Sequence, residues 1–428
     1  MKISMFTPSH DTKHLKEVYQ TLKTQIHEDW EWVILLNGKA AEDNPCCDSP
    51  AVYPGDIRRG LLGEDAFEDE RIKIYKTETT GNVGPLKYEA CKLATGDALF
   101  ELDHDDFLVP DTLLEVDKAF AEHPECCFVY SNTVNWDIRT NTPITWSNFW
   151  GWTNRPFEYN GIALKEAVSA EPNPQSISRI WYAPNHLRCW RTKDYWEMGG
   201  HNQGMKISDD HDLICRTYLH GKLFHIDKPL YLYRVNGENT WLKYTQEIQN
   251  TMWENHNKYI VPMMEKWSKE RNLKLVDLGA RISPAKGYIT VDRHSADINC
   301  DLNKKWKLKD NSVGVLRAHD VFEHLKDPIH TMNEAYRVLA HGGILDLQVP
   351  STASKAAFRD PTHISFWNDE SIHYYTKQQY AQYIQPQYKG RFQVLKLVED
   401  RCGEIIWVRA HLIALKKKER DFYGAIEI

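Results

Sequence analysis

No stretch of the roughly 18 apolar residues needed to cross a bilayer occurs in this 428-residue chain. No Cys-x-x-Cys pair occurs either, which removes the spacing of a zinc ribbon or a thioredoxin-type redox site. The nine cysteines, two pairs of them adjacent (Cys46-Cys47 and Cys126-Cys127), read as reduced thiols. The opening run MKISMFTPSHD is too short in apolar residues for a signal peptide. These absences together predict a cytoplasmic protein with no membrane span. There is no internal repeat. Hydrophobic residues at 42% and charged residues at 26% exclude a disordered or collagen-like chain.

What is present divides in two. At roughly 100–200 residues per domain, the length predicts two or three domains. Residues 1–240 hold 25 Lys and Arg against 37 Asp and Glu, a balance of −12, while residues 241–428 balance at +5. Such an asymmetry suggests two modules with different partners. The first reads as strand KISMFTPS, helix His14–Gln25, strand WEWVILLNG, strand RIKIYKT, helix Gly84–Ala94 and strand ALFELD. That order predicts an α/β sheet with its site at the carboxyl ends of the strands. Residues 39–70, rich in Pro, Gly and acidic side chains, read as a long surface insertion. The polar stretch 241–271 reads as a helical connector that Pro262 should kink or divide. A second α/β pattern then fills 272–428, with strands LKLVDLGA, GYITVD, VGVLRAHD and GILDLQVP, a helix Pro328–Leu339, and two late strands.

The chemistry concentrates in ELDHDD, residues 101–106, at the end of a buried strand. Carboxylates this close repel one another and become favourable around a hard divalent cation. The surrounding motifs come in a fixed order: TPSHD, WVILLNG, NVGPLK, ELDHDD, WEMGG with SDDHDLICR, and PLYLYRVNGENT. Together they resemble family 2 glycosyltransferases of the GT-A fold, over roughly residues 1–240. The resemblance implies an inverting, metal-dependent hexosyl- or pentosyltransferase, using Mg2+ or Mn2+ and a nucleotide-sugar donor. It implies Asp103 and Asp105 at the metal, Thr7, Pro8, Asn37, Lys87 and Asp103 at the donor, and Asp210 as the catalytic base. Two departures stand out. Leu36-Asn37 replaces a pair of aspartates common in the family, and Asn236 follows Tyr233-Arg234-Val235 where many members carry a metal-binding histidine. Asn236, His225 or water are the substitutes considered for that ligand. The aromatic stretch TWSNFWGWTNRPFEYNG offers Trp146, Trp150 and Trp152 as an acceptor wall, since aromatic faces stack on sugars or on unstacked bases.

The second module resembles class I S-adenosylmethionine-dependent methyltransferases, which are Rossmann-like, over residues 273–376. The resemblance rests on LVDLGA, ADINCDLN, EHLKDP, NEAYRVL, GGILD and DPTHISFW. It implies S-adenosylmethionine contacts at Gly279, Asp292, Asp301 and Leu302. Arg281, however, stands where this family's glycine loop lets the cofactor approach the backbone. The chain is therefore expected to move a sugar to an acceptor hydroxyl. The acceptor is a glycan or small molecule, with a hydroxymethylated pyrimidine in DNA as a further option. Its second domain then acts as a second catalyst, as a retained scaffold, or as an acceptor-binding module. His319, Glu323 and His324 form a metal-like set that the resemblance assigns to structural and loop positions.

Overall fold

The computed structural model describes residues 1–44, 55–146, 152–280 and 283–417. The described residues fall into two compact units, one up to Tyr259 and one from Ile260 on. Both are α/β.

The first unit is built on an eleven-stranded sheet whose main path runs Ile72–Lys76, Trp30–Leu36, Ile3–Ser9, Ala98–Glu101, Arg188–Arg191, Cys126–Asp137, Lys222–Val235, Phe107–Leu108. The first four strands are parallel. Arg188–Arg191 runs antiparallel to both neighbours. The runs IKIYK, WEWVILL and ALFE are almost wholly buried, as strands covered on both faces must be. Helix Leu15–Lys23 turns Leu15, Val18, Tyr19 and Leu22 inward at i, i+3, i+4 and i+7 and packs them into the same core. The expected surface insertion is partly structural. Helix Gly55–Leu62 and the turn Glu64–Ala66 bury Leu62 and Ala66 in that core, while residues 45–54 lie outside the described residues.

The second unit carries a seven-stranded sheet ordered Ile298–Asn299, Ile289–Asp292, Lys274–Leu278, Val313–His319, Leu339–Pro350, Ile405–Ala414, Phe392–Cys402. The two late strands pair antiparallel with each other and onto a parallel set. Helix Pro328–Val338 begins with Pro at its first turn and with the Asp327 side chain accepting from His330 N, both ordinary start devices. The connector is one helix, Thr245–Glu270, that continues through Pro262, so Pro262 does not divide it. The division between the units falls inside it, after Tyr259.

One buried carboxylate ties the parallel end of the first sheet together. Glu31 is buried on the strand Trp30–Leu36. It accepts from Lys2 Nζ at 2.8 Å, Lys73 Nζ at 2.7 Å, Ser4 Oγ at 2.6 Å and the Thr95 backbone N at 2.5 Å. Burial opposes its charge, but the two ammonium groups, the hydroxyl and the amide outweigh it and hold the carboxyl down at about 2. A depressed pKa stabilises the fold above the unfolded value of 4.5, and that stabilisation is lost as pH falls through about 2. Glu31→Gln should therefore cost about 3 kcal/mol at neutral pH, since it strands two cations. It should also flatten the loss of stability between pH 4.5 and 2, read by denaturant melts across that range. A melt unchanged at pH 7 would contradict this.

Candidate functional site

Two adjoining cavities open in the first unit at the carboxyl ends of its parallel strands. The larger, about 440 Å³, is lined by Pro8, His10 and Asn37, by Asp103, His104 and Asp105, and by Arg139 and Asn236, among others. Its size lies within the range of about 300–1,000 Å³ common for small-molecule sites. The smaller, about 200 Å³, is lined by Trp146, Trp181, Tyr182, His186, Arg188, Asp209, Asp210 and Trp241, among others. Val83, Lys87, Asp103, Tyr233 and Thr240 border both.

Opposed charges hold the boundary. Lys87, on helix Val83–Leu93, donates to Glu101 Oε1 at 2.5 Å and lies 3.7 Å from Asp209 Oδ2. Arg188, fully buried on its strand, donates to Asp210 Oδ2 at 2.6 Å and lies 3.6 Å from Glu101 Oε2. Burial works against the Lys87 ammonium, yet Asp209 and Glu101 outweigh it and hold its pKa above the ordinary value. Burial likewise opposes Glu101 and Asp210, but Lys87 and Arg188 keep both carboxyls below their ordinary range.

The neighbouring carboxyls go the other way. Burial, with Glu101 beside it, pushes Asp103 up to about 7. Burial, only partly offset by Lys87, pushes Asp209 up to about 6. Asp209 and Asp210 open helix Asp209–His220 together with Asp212, a placement that the helix dipole favours. Asp209 is 3% exposed and lies 3.5 Å from His201, whereas Asp210 is 17% exposed. Both line the small cavity, and Asp210 is the more exposed of the two.

Asp105 accepts from Asn236 Nδ2 at 3.1 Å, so the residue standing in the histidine position does reach the carboxylate pair. His225 does not. Its ring stacks on Tyr130 and bonds Asn132 Oδ1 at 2.8 Å, away from both cavities. A histidine with no motif in the sequence, His186, lies beside Asp103 instead. His186 Nε2 lies 3.8 Å from Asp103 Oδ2 and 4.0 Å from Glu101 Oε1, its ring stacked on Tyr231 and Tyr233. Both its ring nitrogens are buried without a hydrogen bond, and burial, reinforced by Arg188, drives its pKa down to about 3. It is a neutral imidazole, the form that binds metals. Glu101, Asp103 and His186 each offer a ligand atom within 4.8 Å of the others, a grouping that can hold a divalent cation, and Asp103, half-buried at 38% exposure, is paired with no Lys or Arg among the described ion pairs. Asp106 is different. It accepts from Tyr231 Oη and Arg234 N, and so fixes the loop.

Other expectations need correcting. The Thr7 side chain is turned into the sheet, donating to Leu102 O at 2.7 Å and accepting from Trp32 Nε1 at 2.8 Å, and lines neither cavity. Trp152 is buried and backs Tyr182, with ring centroids 5.5 Å apart, instead of facing the cavity. Trp150 lies outside the described residues. Trp146 does line the cavity, packed against Tyr182 and Trp241. Trp181, Tyr182 and Trp241 complete the aromatic wall. They lie outside the tryptophan-rich stretch, which is why a local reading passed them over.

In the second unit a cavity of about 320 Å³ is lined by Gly279, Asp292, Arg293, Leu302, Asp320 and His324, among others. Asp301 is not on it and instead accepts from Arg293 and from the Asn303 backbone N. Arg281 lies outside the described residues.

Comparisons with known proteins follow the same division. Residues 278–346 match the model of a family described as a methyltransferase domain. The chain is similar to the O-antigen biosynthesis protein RfbC of Myxococcus xanthus, 25% identical over 232 residues, covering 54% of this chain and 15% of the relative. It is similar to the chondroitin synthase of Escherichia coli, 26% identical over 200 residues, covering 47% and 25%. The chain thus spans a quarter or less of the length of these relatives. Among solved structures, TarS 1-349 of S. aureus in complex with UDP-GlcNAc aligns at a TM-score of 0.41 and 14% identity, over 63% of this chain and 73% of that one. The likenesses are to glycosyltransferases and, at the C-terminal region, to methyltransferase domains, as the motifs implied.

Gly279 has a role of its own. Its φ is +68°, and a Cβ there would sit 2.4 Å from Val321 Cγ2. The glycine is needed for packing whatever occupies the cavity. Gly279→Ala should destabilise the protein by about 2–4 kcal/mol, the sum of overpacking and a left-handed backbone. Adding Val321→Ala should return part of that loss in a double-mutant cycle, and strict additivity of the two would contradict the contact.

Proposed function

We propose that the first unit transfers a sugar from a nucleotide-sugar donor to an acceptor hydroxyl. One observation carries this reading: a carboxylate-rich cavity and an aromatic cavity adjoin, sharing Lys87, Asp103 and Tyr233. The donor lies in the larger, against Pro8, Asn37 and Lys87, with its diphosphate toward Asp103 and Asp105. These two carboxylates, with His186 or Asn236, hold a Mg2+ or Mn2+ ion. That ion supplies charge neutralisation for the departing diphosphate. The acceptor lies in the smaller cavity, against Trp146, Trp181, Tyr182 and Trp241, whose faces suit a sugar ring.

Asp210 is the base. The acceptor oxygen attacks the anomeric carbon, the bond from that carbon to the diphosphate oxygen breaks, and the hydroxyl proton passes to Asp210. Attack opposite the leaving group inverts the centre. Arg188 keeps Asp210 ionised, and therefore ready to accept, across the neutral range. Arg188 also weakens it as a base, so the proton moves late, as the carbon–oxygen bond forms. Relatives named for O-antigen and chondroitin synthesis support a glycan as the acceptor. For the second unit we propose a nucleotide-type cleft whose occupancy sugar transfer does not require.

Asp105→Ala should abolish turnover and remove the effect of added Mn2+ on donor binding, measured by calorimetry. Full activity in that variant would end the metal assignment. Asp210→Asn should lower transfer by about 10²–10⁴-fold while donor binding stays within a factor of about two, the pattern of a lost general base. Should Asp209→Asn cause the larger loss, the base is Asp209 instead.

A further inference from the structure

The second unit contains a group of side chains that its resemblance leaves without a role. Glu323 and His324 lie in the short turn Phe322–His324, and His363 follows the helix Ala356–Arg359. A ligand atom of each lies within 4.8 Å of the others. The backbone clamps the two segments together: Ile364 N and Ser365 N both donate to Glu323 O, at 2.8 and 3.0 Å, and Ser365 Oγ donates to Phe322 O. The three side chains are thus fixed relative to one another by main-chain contacts.

Hydrogen bonds also fix the tautomers. A carbonyl can only accept, so the bond of 2.9 Å between His363 Nδ1 and Ala357 O places the proton on Nδ1. Thr362 donates its hydroxyl to Asp360 Oδ1, which leaves its oxygens as acceptors for His324 Nδ1 at 3.0 and 3.2 Å. In the neutral ring these bonds leave Nε2 of each imidazole as the free, lone-pair nitrogen. Metal-binding histidines are oriented in this way, by giving their other N–H to a carbonyl or hydroxyl.

The carboxylate supplies an independent sign. Glu323 is 2% exposed, and its Oε2 is buried with no hydrogen-bond partner. No Lys or Arg pairs with it among the described ion pairs. A cation would supply the missing partner. Asp360 Oδ2, 3.8 Å from His363 Nε2, stands ready as a further oxygen or as acceptor for a coordinated water. The surface trio Asp194, Glu197 and His220 makes a useful contrast. There His220 Nε2 already bonds Asp194 at 2.8 Å, and none of the three holds a buried polar atom without a partner.

We propose that Glu323, His324 and His363 form a binding site for a borderline divalent cation of the Zn2+ class. Two imidazoles and one carboxylate are a ligand set for such ions that leaves positions open. Because His324 also lines the cavity of Gly279, Asp292 and Leu302, the cation borders that cleft and can take an oxygen ligand from its occupant. The site is independent of sugar transfer and stands or falls on its own.

The test uses the full chain, stripped with chelator and titrated with Co2+, whose visible absorption is strong when imidazole and carboxylate give it a low-coordinate site. Wild type should show the band at one equivalent, and Asp105→Ala should keep it, which separates this ion from any held in the first unit. His363→Ala should lose the band. Glu323→Gln, which keeps the side-chain shape, should weaken Co2+ binding at least about tenfold. No band in wild type, or a band that survives both second-unit substitutions, would overturn the proposal. If His363→Ala does not fold, Glu323→Gln decides, and unchanged Co2+ affinity in that variant also overturns it.

Discussion

Two cations, the buried Arg188 and the largely buried Lys87, are the constraint on which the candidate site depends. Four carboxyls, Glu101, Asp103, Asp209 and Asp210, converge on one cavity, and so many negative charges side by side need partners. Lys87 neutralises Glu101 and partly Asp209, and Arg188 neutralises Asp210. Asp103 is left over and rises toward neutrality. The cluster is thereby sorted into groups held ionised and groups pushed toward neutrality. The proposed sugar transfer, with a diphosphate on one side and a proton on the other, would need that sorting.

The sheet makes the sorting possible. Glu101 ends one parallel strand, Arg188 starts the antiparallel strand beside it, and Asp209 and Asp210 begin a helix far along the chain. Nothing local brings these together, and only the strand order does. Glu31 plays a matching structural part at the other end of the same strands, where it collects two lysines from neighbouring strands.

Much of this was legible in the sequence because its signals are local. Apolar runs marked the buried strands, i, i+3 and i+4 spacing marked Leu15–Lys23, and the clustered acids of ELDHDD marked the loop at the site. What was not legible was tertiary. His186 carries no motif and matters only because its strand neighbours Tyr231 and Tyr233 stack on it beside Asp103. Thr7 looked like a donor contact, but its hydroxyl is consumed by the Trp32 indole and a backbone carbonyl. The tryptophan-rich stretch drew attention to Trp152, which packs behind the wall, and away from Trp181 and Trp241, which form it. Pro262 carries a breaking signal that the helix Thr245–Glu270 overrides.

The central claim is that the first unit is a metal-dependent sugar transferase, and the release of nucleoside diphosphate tests it most directly. The full chain is presented with a panel of nucleotide sugars in Mn2+, with and without excess chelator. The account predicts slow release from at least one donor, abolished by the chelator and restored by added Mn2+. Release that continues undiminished in chelator, or no release from any donor with the metal present, would contradict it.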